Sequence, residues 1–184
     1  QWLHQRATPG MTRSMLIVTT LHSTVAIACY AVIAAALAGA RRDWRRIVTL
    51  AACIGGGLAL NVMMKLAFHR ARPTFEHPLL TLTSYSFPSG HGAAATIFYG
   101  LGVVWVFGRT RRPRWRVLAL VGALLAIVLV ACSRMYLGVH YLSDVAAAFA
   151  EGVAWLALCL SALAAFWRER AVAPAPASIA GGPR

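Results

Sequence analysis

Residues 15–40 contain no Asp, Glu, Lys or Arg. As a helix such a run rises about 39 Å, enough to cross a hydrocarbon core about 30 Å thick with some tilt. Further apolar stretches follow at 47–68, 92–107, 117–132 and 142–167. The stretch at 92–107 is short, so its helix is expected to begin a residue or two earlier. Ala and Leu dominate throughout, and the period-two alternation of a membrane barrel is missing. The expected fold class is all-α, a polytopic transmembrane helical bundle with five spans. Composition agrees: the chain is 59% hydrophobic and 12% charged, where soluble domains average roughly 45–50% and 25%.

The first run ends in a small-residue stretch, Ala36-Leu37-Ala38, that looks like a leader-cleavage site. It is nevertheless far longer than a leader core of about 7–15 residues, and Arg41 and Arg42 follow it as a stop-transfer anchor. Cys29, Cys53, Cys132 and Cys159 are too scattered for a zinc site or a disulfide framework, and are expected as small buried residues.

The net charge of +13 raises nucleic acid as a partner. Nucleic-acid binders gather basic residues on one face, often with stacking aromatics between them. Here the basic residues form short blocks between apolar runs, as membrane loops do. Nucleic acid is therefore excluded, and the bilayer is the expected partner. Arg41, Arg42, Arg45 and Arg46 follow the first run, five arginines over 109–116 follow the third, and Arg168, Arg170 and Arg184 follow the fifth. That side is cytoplasmic by the positive-inside rule, and Trp44, Trp115 and Trp167 mark its boundary. Residues 169–184, rich in Ala, Pro and Gly from 171 onward, are expected as a disordered cytoplasmic tail.

The other six basic residues, Arg6, Arg13, Lys65, Arg70, Arg72 and Arg134, lie at the opposite side with five of the six histidines. A basic, His-rich face outside the membrane asks for an anionic ligand, and phosphate is the natural candidate. Three local patterns sharpen this. Lys65 and Arg72, followed by Pro73, are seven residues apart and share a face if the helix continues. Arg grips phosphate with two parallel hydrogen bonds, while Lys is a mobile point charge. Pro88-Ser89-Gly90-His91 reads as a helix start whose backbone N–H groups and Ser89 hydroxyl could cradle an anion. In Ser133-Arg134 through His140 to Asp144, the last two are i and i+4 on one turn. A carboxylate on one ring nitrogen fixes the tautomer and frees the other as base or nucleophile. Each pattern alone has a plainer reading: a snorkelling basic helix end, a capped helix start, a satisfied interfacial histidine.

Together, Lys-x6-Arg-Pro, Pro-Ser-Gly-His and Ser-Arg-x5-His-x3-Asp resemble the signature of the type 2 phosphatidic acid phosphatase superfamily, with every signature position present from Lys65 to Asp144. The resemblance runs from about the first helix to Trp167. It implies a metal-independent phosphatase, without cofactor, working through a phosphohistidine. In that family the histidine matching His140 attacks phosphorus, the acid matching Asp144 orients it, and the one matching His91 protonates the leaving oxygen. Lys65, Arg72, Ser89, Gly90 and Arg134 then hold the phosphate oxygens.

Membrane members of the family typically have six spans, with the first motif after the third; here it follows the second. Residue 1 is Gln, so the expectation is a chain that begins inside a longer protein and lacks the family's first helix. Residues 1–13 then form an extracytoplasmic or interfacial connector, 14–168 the transmembrane phosphatase domain. The expected substrate is a lipid phosphate or diphosphate entering from the bilayer of a bacterial cytoplasmic membrane. Undecaprenyl diphosphate leads on the Arg- and Ala-rich composition, with phosphatidylglycerol phosphate, phosphatidic acid and lipid A phosphates as alternatives. The loop at 74–85 is the expected place of head-group selection. A lipid transporter or scramblase is the non-enzymatic alternative.

Overall fold

The computed structural model of the chain describes residues 7–75 and 78–172. Among these, every regular element is helical. In order they are α1 (Pro9–Leu21), α2 (Thr24–Ala40), α3 (Trp44–Leu50), a π-helical turn (Ala51–Gly55), α4 (Gly56–Phe68), α5 (Gly90–Arg109), α6 (Pro113–Tyr136) and α7 (Leu142–Val172). From α3 to α4 the chain is one helix of 25 residues, Trp44–Phe68. That helix, α5, α6 and Leu142–Arg170 of α7 are each long and apolar enough to cross a membrane. α1 and α2 supply a fifth candidate span only as a bent pair.

The first run thus departs from expectation: in place of one helix over 15–40 there are two, bent by 42°. The break follows from side chains that compete with the helix ladder. Ser23 caps α2, its hydroxyl accepting from Ala26 N at 3.1 Å. His22 ends α1, with Nδ1 on Val18 O at 2.8 Å and Nε2 on the Tyr99 hydroxyl at 2.6 Å. A carbonyl only accepts, so Nδ1 carries the proton and Nε2 accepts from Tyr99. α1 also starts early, at Pro9 under a Thr8 cap, so the connector expected over 1–13 is helical from Pro9 onward. Residues 1–6 lie outside the described residues. At the other end α7 runs through 169–172, where the tail was expected to have begun, and 173–184 lie outside the described residues.

α5 is the central helix, packed against α2, α4, α6 and α7. Small residues permit this. A Cβ at Gly100 would stand 2.7 Å from Leu156 Cδ2, and one at Gly152 would stand 2.7 Å from Thr96 Cβ. Close backbone approach of this kind drives helix association where lipid removes the hydrophobic gradient. The π turn is held by Trp155, whose indole N–H reaches Ala52 O at 3.2 Å and Cys53 O at 3.0 Å. Of the four cysteines, Cys53 and Cys159 join the buried core, Cys132 is partly buried and Cys29 is exposed. The exterior is apolar, with Val25 71% and Leu142 69% exposed, whereas Arg134 and Asp144 are buried at 1% and 0%. Apolar outside and polar inside is the distribution expected of a protein solvated by lipid.

Candidate active site

All three motifs come together at one end of the bundle. Lys65 lies in the last turn of α4, Gly90 and His91 open α5, Arg134 lies in the last turn of α6, and His140 and Asp144 flank the start of α7. Lys65, Arg72, Gly90, His91, Arg134 and His140 line one cavity of about 510 Å³.

Lys65 and Arg72 reach it without sharing a helix face. α4 ends at Phe68, and His69 turns left-handed at φ 48°, so the helix stops five residues before Pro73. Beyond it the chain has no regular secondary structure through residue 75. Ser86 pins this stretch from across the loop, donating from its N to Arg70 O and from its hydroxyl to Ala71 O, both at 2.9 Å. Lys65 Nζ donates to Tyr85 O at 2.8 Å and Pro88 O at 2.7 Å. Arg72 binds Ser84 O and Val139 O, each at 2.7 Å, and its Nη1 lies 3.3 Å from His140 Nε2. The cations are therefore set by carbonyls of two loops rather than by helical periodicity.

Ser89 caps α5 as expected, but it does not line the cavity. Its hydroxyl accepts from Gly92 N at 3.4 Å and its backbone N–H donates to Asp144 O at 3.1 Å. That second bond ties the start of α5 to the start of α7. Gly90 does face the cavity. A Cβ there would come within 3.2 Å of Asn61 Oδ1 and 3.4 Å of Thr24 Cγ2, so a larger residue would crowd both neighbours by a few tenths of an ångström.

His140 and Asp144 are in contact, Nδ1 to Oδ2 at 3.3 Å, but not as two positions on one helical turn. α6 ends before Gly138, whose φ of 72° is a glycine conformation. His140 follows in the turn, and α7 starts only at Leu142. Asp144 reaches back to accept from Tyr141 N at 2.9 Å, as in a capping box, and the same oxygen meets the imidazole. Arg72 can only donate, so His140 Nε2 holds its lone pair towards Arg72 and the cavity, while Nδ1 carries the proton to Asp144. His140 lies in the loop between two spans. Burial pushes its pKa down to about 4 from the ordinary histidine value. The Asp144 contact opposes this, and Arg72, Arg134 and Lys65 reinforce it. At neutral pH the ring is an uncharged base.

Arg134 is the most demanding group of the site. It is 1% exposed, and its Nη1 donates to the Thr19 hydroxyl of α1. Its Nε and Nη2 are buried with no hydrogen-bond partner. A buried guanidinium with two such N–H groups is costly unless an acceptor meets them.

Sequence reasoning missed four contributors. Thr19 carries no local signal, because it is 115 residues from the arginine it holds. Arg70 was visible only as an unused position between Lys65 and Arg72, yet it binds Asp144 Oδ1 at 2.7 Å. Asn61 and Glu151, polar exceptions in apolar spans, pair at 3.0 Å, with Asn61 in the cavity wall.

The sequence pattern of the PAP2 superfamily matches residues 46–168. The chain belongs to the PAP2 superfamily. Phosphatidylglycerophosphatase B of Bacillus subtilis (strain 168) is 34% identical over 116 residues, which cover 61% of this chain and 55% of that relative. The chain thus matches only about half the length of that relative. The crystal structure of a transmembrane PAP2 type phosphatidylglycerolphosphate phosphatase from Bacillus subtilis aligns with a TM-score of 0.77 and 26% identity, over 95% of this chain and 84% of that one. The shared fold is a multi-span helical membrane bundle.

Proposed function

We propose that this PAP2 chain is a metal-independent lipid phosphatase that hydrolyses its substrate through a phosphohistidine. The observation that carries the reading is the pair of unpartnered buried N–H groups of Arg134 in a cavity shared with Lys65, Arg72 and the open nitrogen of His140. In this mechanism His140 Nε2 attacks phosphorus. The bond from phosphorus to the lipid oxygen breaks, and His91 gives that oxygen its proton. Water then attacks the phosphorus–nitrogen bond and returns a proton to His91, which releases inorganic phosphate and restores both rings. Asp144 holds the proton of Nδ1 and steadies the positive ring that forms. Lys65, Arg72, Arg134 and the Gly90 backbone offset charge on the three non-bridging oxygens. Ser89 acts from behind, as the cap that holds Gly90 in place.

Among the described residues the cavity carries three cations, matched to one phosphoryl group. Much of the rest of its wall is apolar, including Val25, Ala28, Leu58, Val62 and Leu82. This supports a lipid phosphomonoester, and the name of the 34% relative makes phosphatidylglycerol phosphate the first candidate. It stands ahead of undecaprenyl diphosphate, the substrate favoured on composition. The site end faces the extracytoplasmic side of a bacterial membrane, because the Arg-rich loops lie at the other end.

The test is phosphate release by the full chain in detergent with EDTA present. Phosphatidylglycerol phosphate, phosphatidic acid and undecaprenyl diphosphate are compared, with His140→Ala alongside. The expected result is release that is fastest from a monophosphate and absent in the variant. Release that needs added metal, or that persists in His140→Ala, would overturn the reading. Lipid movement without release in both proteins would favour a scramblase.

A further inference from the structure

The stretch that leaves α4 carries two arginines, Arg70 and Arg72, at alternate positions, and both reach the His140–Asp144 pair. Arg72 meets the far nitrogen of the imidazole. Arg70 takes the other end of the pair: its Nη1 donates to Asp144 Oδ1 and to the Ser143 hydroxyl, each at 2.7 Å. The guanidinium lies 4.4 Å from the centre of the Tyr141 ring. Its side chain is 38% exposed while that of Asp144 is at 0%, so the contact is made from outside the cavity. Arg70 is not among the cavity-lining residues and falls within the unspecified positions of Lys-x6-Arg-Pro.

The division of labour at the carboxylate is the important point. Oδ2 is occupied by Tyr141 N and His140 Nδ1. Among the described residues, the one hydrogen bond from a side chain outside this turn that fixes Oδ1 is the bond from Arg70. Without it Oδ1 would be buried with no donor, a condition relieved by rotating the carboxylate away from the imidazole. We propose that Arg70 is a positioning residue for the nucleophile: by clamping Asp144 Oδ1 from the outer rim, it holds the carboxylate in the orientation that aims His140. The inference rests on the phosphohistidine reading above and adds a residue to it.

Two consequences separate this role from simple structural support. First, loss of Arg70 acts on the chemical step and leaves substrate binding alone. Second, it alters the protonation of His140. The charged groups facing that ring are Asp144 on α7, Arg134 on α6, Lys65 on α4, His91 on α5 and Arg72 beside it. Removing Arg70 lets the carboxylate turn from the ring, and the Asp144 hydrogen bond that favours the protonated imidazole is lost. His140 then takes up its proton only at a lower pH.

The experiment is the pH profile of kcat and kcat/KM for the full chain in detergent, comparing wild type, Arg70→Gln, Arg70→Lys and His140→Ala. For Arg70→Gln we expect kcat to fall about tenfold to a hundredfold with KM within about threefold of wild type. The acid limb moves downward, further from the ordinary histidine range, and Arg70→Lys restores most of the rate and the wild-type limb. Arg70→Met, which keeps the apolar stem over Tyr141, carries the same expectation if Arg70→Gln does not fold. A rise in KM at unchanged kcat would make Arg70 a substrate contact. A fall in kcat with an unmoved acid limb would make it merely structural; either result overturns the proposal. Wild-type activity in His140→Ala would remove the phosphohistidine reading itself, whatever Arg70 does.

Discussion

Both ends of the bundle are rich in arginine, and the two ends use it in opposite ways. Away from the site, Arg116 donates to Thr110 O at 2.8 Å and Phe107 O at 2.9 Å. Nearby, Arg45 lies over Trp167 at 5.1 Å and Arg170 over Phe166 at 4.5 Å. Arg45 and Arg170 are exposed and Arg116 is partly so, each lying on apolar rings or chain carbonyls as snorkelling side chains do. At the site end Arg134 is buried, Arg72 is enclosed by loop carbonyls, and Lys65 is held between two more. The comparison teaches that the number of basic residues marks orientation, while their burial and unfinished hydrogen bonding mark the site.

The contrast can be broken by variants at either end. Asp144→Asn carries the largest expected effect. It keeps the shape but offers the imidazole the wrong partner, so kcat for phosphate release should fall about 10³–10⁴-fold. A loss confined to KM would remove Asp144 from its role. Arg134→Ala should lower kcat/KM about 10²–10³-fold, while Arg116→Ala at the other end should stay within about twofold. Equal losses from the two would erase the distinction between the ends.

Acidity probes the site end alone. His140 is held neutral above a pKa of about 4, so protonation removes the nucleophile only as pH falls through that value. In kcat/KM the acid limb is expected near pH 4, dropping about tenfold per pH unit below it. A limb near the ordinary histidine value would mean that the ring is better solvated than its burial implies. The smallest loss expected at the site end belongs to Thr19→Val. It removes the hydroxyl that anchors Arg134 without touching the cavity wall, and should cost about threefold to tenfold in kcat/KM. No change would show that α1 merely covers the site.

Much of this was legible in the residues because it is local. Span lengths follow from apolar runs, and the start of α5 follows from Ser89 ahead of Gly90. The His140–Asp144 contact is carried by a four-residue separation that survives whether or not a helix forms. Other features depended on partners far along the chain. The bend at His22 and Ser23 needs the Tyr99 hydroxyl to donate to the ring. The end of α4 at Phe68, ahead of Pro73, goes with Ser86, which captures the carbonyls of Arg70 and Ala71. Thr19 and Arg70 gain meaning only from Arg134 and Asp144.

The order and spacing of the motifs were therefore enough to read a helical membrane bundle, its family resemblance and the chemical types at the cavity. They could not say which side chain turns its polar atoms into the cavity and which spends them on a cap or a carbonyl. Arg70 is passed over for that reason, and the capping bond of Ser89 to Gly92 N becomes visible only in the fold. Hydrogen-bond partners inside a bundle are chosen by packing across helices, where no run of neighbouring residues records the choice.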